Sequence, residues 1–167
     1  MNFIDPILKE FTYEMANTRK VLERAPMEKH AWKPHDKSMS LGQLASHVAE
    51  SPTWAKPIVD QDELSLDLSG YKPPYYPTGA ELLAAFDAAV AGAKQAMQGR
   101  SNEMLMAPWR LKVGGQVIFE MPRVAVIRSM VLNHIIHHRG QLTVYLRLLN
   151  VPLPALYGPT ADERMPH

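Results

Sequence analysis

The chain has 167 residues, 46% of them apolar, with 18 lysines and arginines against 17 acids and no cysteine. That length and apolar share suit one globular domain over residues 1–167, and a near-neutral charge without long single-sign blocks argues against a nucleic-acid partner. The lack of cysteine excludes a disulfide framework, a thiolate metal site and a cysteine nucleophile, so any metal must be held by imidazole and oxygen.

The opening MNFIDPILKE carries an acid at once and has no basic region followed by an apolar run, and no stretch approaches about 18 uninterrupted apolar residues. The expectation is a cytoplasmic protein with no membrane partner. A first helix is predicted from about Asp5 to Arg24, with Asp5 as N-cap, Pro6 at the first helical position, and Ile7, Leu8, Phe11, Met15, Thr18 and Leu22 as its inward stripe. Ala25 to Ser40 reads as a connection, because Pro26 and Pro34 break helix and the residues between them are mostly polar. Its histidines, His30 and His35, are expected to be solvated and outside any site. Ser40 caps a second helix with Leu41, Leu44 and Val48 as its apolar stripe, which Pro52 and Pro57 disturb or end. Gln61 to Pro77 is expected as a long irregular crossover, its three tyrosines packing on the helices beneath.

Thr78-Gly79-Ala80-Glu81 is a capping-box pattern that starts a third helix running to about Gln98, where Gly99 stops it. After Ser101 to Pro108, two extended runs flank Gly114-Gly115 and predict a short hairpin or paired extended loop. Pro122 sits near the start of a long fourth helix ending about Asn150, before Pro152 and Pro154. The tail through Tyr157-Gly158-Pro159 is expected to lie over the surface. The fold class is therefore all-α, an up-down four-helix bundle with a long crossover after the second helix.

The chemistry concentrates on the fourth helix. His134 and His138 stand four apart, which on an α-helix stacks them roughly 5–6 Å apart, near enough to share one cation. At about 100° per residue both fall in the apolar arc of Ile127, Met130, Val131, Ile135, Leu142, Tyr145 and Leu149, while Arg128, Arg139, Thr143, Arg147 and Asn150 take the opposite, solvated or interface side. His137 lies about 60° round from His134 and is the weaker ligand candidate. Two inward imidazoles each bring a donor and an acceptor into a dry core, and a shared metal satisfies both acceptors at once. Such a pair needs a further ligand, and His47, on the Leu44 side of the second helix, is the third.

The pattern Ser40-Leu41 followed by Leu44-x-x-His47, then Asn133-His134-x-x-x-His138-Arg139-Gly140-Gln141-Leu142 and Tyr145-Leu146-Arg147-Leu148-Leu149, resembles the DinB (damage-inducible, YfiT-like) family of four-helix metalloenzymes. Trp32-x-Pro34 and Phe119-x-Met121-Pro122-Arg123 are also similar to family members, so the likeness covers nearly the whole chain. It implies an up-down bundle, usually dimeric, with three histidines on a divalent metal such as zinc or nickel, matching His47, His134 and His138. It also implies chemistry with low-molecular-weight thiols, since some relatives are thiol-dependent transferases or isomerases.

Three neutral imidazoles would leave such an ion its full charge and at least one open position, the pattern of a catalytic site acting on a small-molecule substrate. Thiol transfer to an electrophile is favoured over metal-activated hydrolysis, because no obvious carboxylate is paired with the histidines as the Glu of H-E-x-x-H is. Gln141 and Tyr145 are the polar groups most able to line the cavity, with core packing or support of a ligand equally open; no catalytic residue is assigned. Arg139 is expected as a structural ion-pair or interface residue. The alternative is a non-catalytic stress-response or interaction protein that a metal merely stabilises. A homodimer is expected from the family and from apolar Ile136 among polar neighbours on the outer face.

Overall fold

The computed structural model describes residues 2–164. Its first helix, α1 (Ile4–Leu22), starts a residue before the sequence suggests. Phe3 is its N-cap without a side-chain cap, and the Phe3 N–H donates instead to Asn102 Oδ1 at 2.7 Å. Asp5 therefore sits inside the first turn, where its charge favours the helix dipole rather than capping it. The second helix is built in three pieces, α2 (Leu41–Glu50), a 3₁₀ turn at Ser51–Trp54, and α3 (Ala55–Asp60), so Pro52 tightens the winding without ending it. α4 (Gly79–Met97) is the third helix, opened by the Thr78–Glu81 capping box and closed just before Gly99, whose φ of 72° suits a residue without Cβ.

Helical periodicity and caps thus yield the bundle: α1 and α2 both pack on α4 and on the last long helix, α7 (His134–Leu148). Phe11, Leu44, Phe86, Ile127 and Trp109 are among the fully buried side chains, each worth roughly 1.5–3 kcal/mol of burial.

After the short α5 (Asn102–Met106), the hairpin forms as β2 (Pro108–Val113) and β3 (Gln116–Pro122) around Gly114 and Gly115, both at positive φ. The crossover is less irregular than its prolines imply. Glu63–Leu66 forms β1, parallel to β2, and completes a three-stranded sheet in the order β1-β2-β3. Leu111 pairs with Phe119 and Lys112 with Val117, which leaves Ile118 as a bulge. Buried Arg123 ties this sheet to the bundle, donating to the carbonyls of Ile58, Pro108 and Gln61 and to Asp62 Oδ1.

The fourth helix departs from a regular cylinder. α6 (Arg123–Val126) passes into a π-helical segment, Ile127–Asn133, and only then into α7. The wider i to i+5 winding spoils a projection at constant angle: Leu132, absent from the predicted arc, is buried, while Met130 is only half-buried. Arg139, expected as a structural ion-pair or interface residue, does form an ion pair, with Glu14 of α1 at 2.8 Å, and is 2% exposed rather than on a solvated side. Arg128, Arg147 and Asn150 on that side are exposed as expected, while Arg139 is covered by α1. The tail crosses the surface as expected, held by Asp162 on the Leu153 N–H and Glu163 on the Ala155 N–H. Among the described residues, no helix is long and apolar enough to cross a membrane.

Candidate metal centre

Ser40 sets the phase of α2. Its hydroxyl accepts from the Gln43 N–H at 3.2 Å while Gln43 Oε1 accepts from the Ser40 N–H at 2.8 Å. That cap turns Leu41, Leu44, Ala45 and Val48 into the core and leaves His47 at the buried margin facing α7. On α7, His134 is the first residue after the π-helical turn, and His138 and Gln141 follow one and two turns on.

The structure brings the three predicted histidines together. One nitrogen from each of His47, His134 and His138 lies within 4.8 Å of the others. The rings stand nearly edge to face, with centroids 4.5 to 5.0 Å apart. His138 Nδ1 meets Gln141 Oε1 at 2.7 Å and His47 Nδ1 meets Glu50 Oε1 at 3.4 Å. Each contact calls for an N–H on Nδ1, which leaves the Nε2 lone pair of both rings turned toward the cluster. His47 Nε2 and His134 Nε2 are 2.8 Å apart, a distance at which two lone pairs repel unless a proton or a cation stands between them.

A tetrahedral zinc site with Zn–N near 2.0–2.1 Å spaces its ligand nitrogens roughly 3.3 Å apart. His47 Nε2 and His134 Nε2 stand somewhat closer than that and all three nitrogens lie within 4.8 Å, so the cluster is of the size that a divalent ion needs. The donors are imidazoles without a carboxylate or thiolate, a set suited to zinc, nickel or copper rather than calcium or magnesium.

Electrostatics support the same arrangement. Burial pushes His134 down from 6.5 to about 4, and the neighbouring His138, His47 and His137 oppose its protonation further. His138 is lowered too, by burial first, with the Gln141 hydrogen bond pulling the other way and His47 and His137 adding to the decrease. Both rings are therefore held neutral, the form that binds metal.

Two open clefts flank the cluster. One, of about 350 Å³, runs along His138, Gln141, Val144 and Tyr145; the other, of about 330 Å³, runs along His47, Gln43 and Tyr75. Met39 belongs to both. Gln141 thus both braces a histidine and faces a cleft. The Tyr145 hydroxyl donates to the Met39 carbonyl at 3.2 Å, and its ring stacks edge-on against Trp32. His137 is exposed, has its ring against that of His138, and stays outside the cluster. His35 is solvated as expected, whereas His30 hydrogen-bonds Tyr75 at the rim of the second cleft. Tyr71 and Tyr75 are exposed, so of the three crossover tyrosines only Tyr76 packs against the core.

Glu50 is the residue the sequence reading passed over. It stands three residues after His47 on the same helix, mostly buried, with Tyr71 bonded to it and Tyr76 close by. The His-x-x-Glu spacing at 47 and 50 was the available signal, since i,i+3 residues share a helix face. Its carboxylate reaches Nδ1, the edge of the ring away from the cluster, where it orients the histidine.

A helical bundle that gathers three imidazoles between its second and fourth helices defines a class of candidate metalloproteins. The chain belongs to the DinB superfamily, whose sequence profile matches residues 10–142. It is similar to the uncharacterized protein YrdA of Bacillus subtilis strain 168, 26% identical over 161 residues that span 96% of this chain and 91% of that protein. The fold is shared with a DinB-like protein from Bacillus cereus ATCC 10987, at a TM-score of 0.69 and 20% identity over 90% of this chain and 95% of that one. A second crystal structure, the DinB-like YjoA of Bacillus subtilis, matches at a TM-score of 0.66 and 21% identity over 96% and 99%.

Proposed function

We propose that His47, His134 and His138 each give a ring nitrogen to one zinc or nickel ion, and that the site is catalytic, promoting transfer of a thiol to an electrophile. The observation that carries this reading is the convergence of three imidazoles on a point flanked by two open clefts. A bound divalent ion supplies the positive charge that makes a thiol or water brought to it more acidic. The chain does the rest: Glu50 and Gln141 hold two rings in the tautomer that presents Nε2, and burial keeps His134 unprotonated.

Thiol chemistry is preferred to hydrolysis because the nearest carboxylate, Glu50, faces the wrong edge of His47, and neither cleft is lined by an acid that could take a proton from water. A thiol, with an ordinary pKa several units below that of water, has less need of such a base. The competing view, an ion that only ties α2 to α7, requires a closed coordination sphere. The reading also includes one domain, a cytoplasmic setting and a homodimer. Ile136 is half-buried within the chain, so surface support for pairing falls to Leu148, Val117 and Ile118, each more than half exposed.

The test is metal content by elemental analysis of untagged protein beside His47→Ala and His134→Ala. About one divalent ion per chain, lost in both variants, is the expected result. Protein that neither retains nor rebinds metal overturns the reading.

A further inference from the structure

The clefts beside the histidines differ from the rest of the surface in charge. Charged residues make up 21% of the chain, yet none of the twelve residues lining these two clefts is an aspartate, glutamate, lysine or arginine. Three clefts of comparable size elsewhere are all charged, by Arg24 and Glu163, by Asp62 and Arg110, and by Arg24 and Asp162. Met39, Leu44, Val144, Pro73, Pro74 and the two tyrosines supply most of the walls instead.

Beside hydroxyls and the two histidines, each cleft holds one oriented amide. Gln43 uses its oxygen on the Ser40 N–H, and Gln141 uses its oxygen on His138. Those bonds leave the NH₂ donors unused, one glutamine in each cleft. A ligand carrying several carboxylates would give up their hydration against tyrosine, methionine and proline with no lysine or arginine on the walls to receive them.

We infer that the molecule whose body occupies these clefts is neutral and largely apolar, aromatic or aliphatic with a hydrogen-bond-accepting oxygen, and is not a multiply charged thiol of the glutathione kind. This specifies the ligand of the metal site proposed above and rests on that reading. The observations behind it are the uncharged walls and the two oriented amides, which do not depend on the identity of the metal.

Cobalt-substituted protein tests it, read by thiolate-to-cobalt charge-transfer absorbance during titration with benzyl mercaptan or glutathione at equal thiolate concentration. Benzyl mercaptan should bind at least about tenfold more tightly, the scale set by burying a ring against stranding unpaired charges. Val144, 58% exposed on the first cleft, accepts a lysine without disturbing the core, and Val144→Lys should narrow the preference several-fold. Glutathione binding as tightly as benzyl mercaptan, or a preference unmoved by Val144→Lys, overturns the inference while the metal site stands. Failure to take up cobalt removes the metal site and this inference with it.

Discussion

Protonation of the histidine cluster should make the metal-free protein acid-labile above the range where carboxylates titrate. His134 binds its proton near 6.5 in the unfolded chain but only near pH 4 in the folded one. Between those values the unfolded state carries more protons, so stability is full above 6.5 and falls as pH drops. At about 1.4 kcal/mol per pKa unit, His134 alone would take away about 2 kcal/mol between pH 7 and pH 5. Water reaches part of the cluster, which trims the effect to roughly 1 kcal/mol. The lowered His138 acts in the same direction. At pH 5 the surface carboxylates Asp60, Asp162 and Glu163, all held below their usual range by lysine, arginine or backbone donors, are still ionised and contribute no slope. Urea unfolding of chelator-stripped protein at the two pH values measures the difference, and His134→Gln should remove most of it. Equal stability at pH 7 and pH 5, or an undiminished slope in His134→Gln, would refute the reasoning.

Arg139→Met leaves the Glu14 carboxylate buried without its cation, and chemical denaturation should show a loss of about 3–5 kcal/mol, recovered by more than half when Glu14→Gln is added. Metal content of the folded variant should not change, since Arg139 lies across the helix from the cluster. Gln141→Leu and Glu50→Leu should each weaken metal binding about 10- to 100-fold in chelator competition while helix content by circular dichroism holds, because each removes the group that fixes a ligand's tautomer. Gly42→Ala places a Cβ 2.7 Å from the Tyr75 hydroxyl and 2.9 Å from His30 Cβ, so residues 71–77 should exchange amide hydrogens faster, with a stability loss of about 1–3 kcal/mol.

What could be read from sequence followed the range of the interactions involved. Capping boxes at Ser40 and Thr78, the Gly99 stop and the Gly114-Gly115 turn are decided within a few residues, so these elements lie where local chemistry puts them. β1 was illegible because a four-residue strand exists only through pairing with β2, some 45 residues later. The π-helical winding of 127–133 was illegible for a different reason: a change from i+4 to i+5 hydrogen bonding has no compositional mark. His134 and His138 escaped that error because both lie after the winding has returned to α, where the four-residue spacing regains its geometric meaning.

Arg139 shows what a single-helix projection leaves undetermined. Projection assigns residues to sides of a cylinder but does not say what covers each side, and α7 is covered on two: by α2, which brings His47 to the histidines, and by α1, which brings Glu14 to Arg139. The same helix therefore carries the candidate metal cluster and a buried ion pair on different faces. That division has a physical use. Arg139 also donates to the Glu14 carbonyl and to Thr18 Oγ1, and the Tyr157 hydroxyl donates to Glu14 Oε2, so α7 is fixed to α1 and to the tail through directional contacts. A helix so anchored cannot roll without stranding a buried charge, and rolling is the motion that would carry His134 and His138 away from His47. Ile135, Leu142 and Leu146, fully buried on the same helix, oppose that roll as well, which is why Arg139→Met should cost stability while the nitrogens, wherever the chain still folds, meet as before.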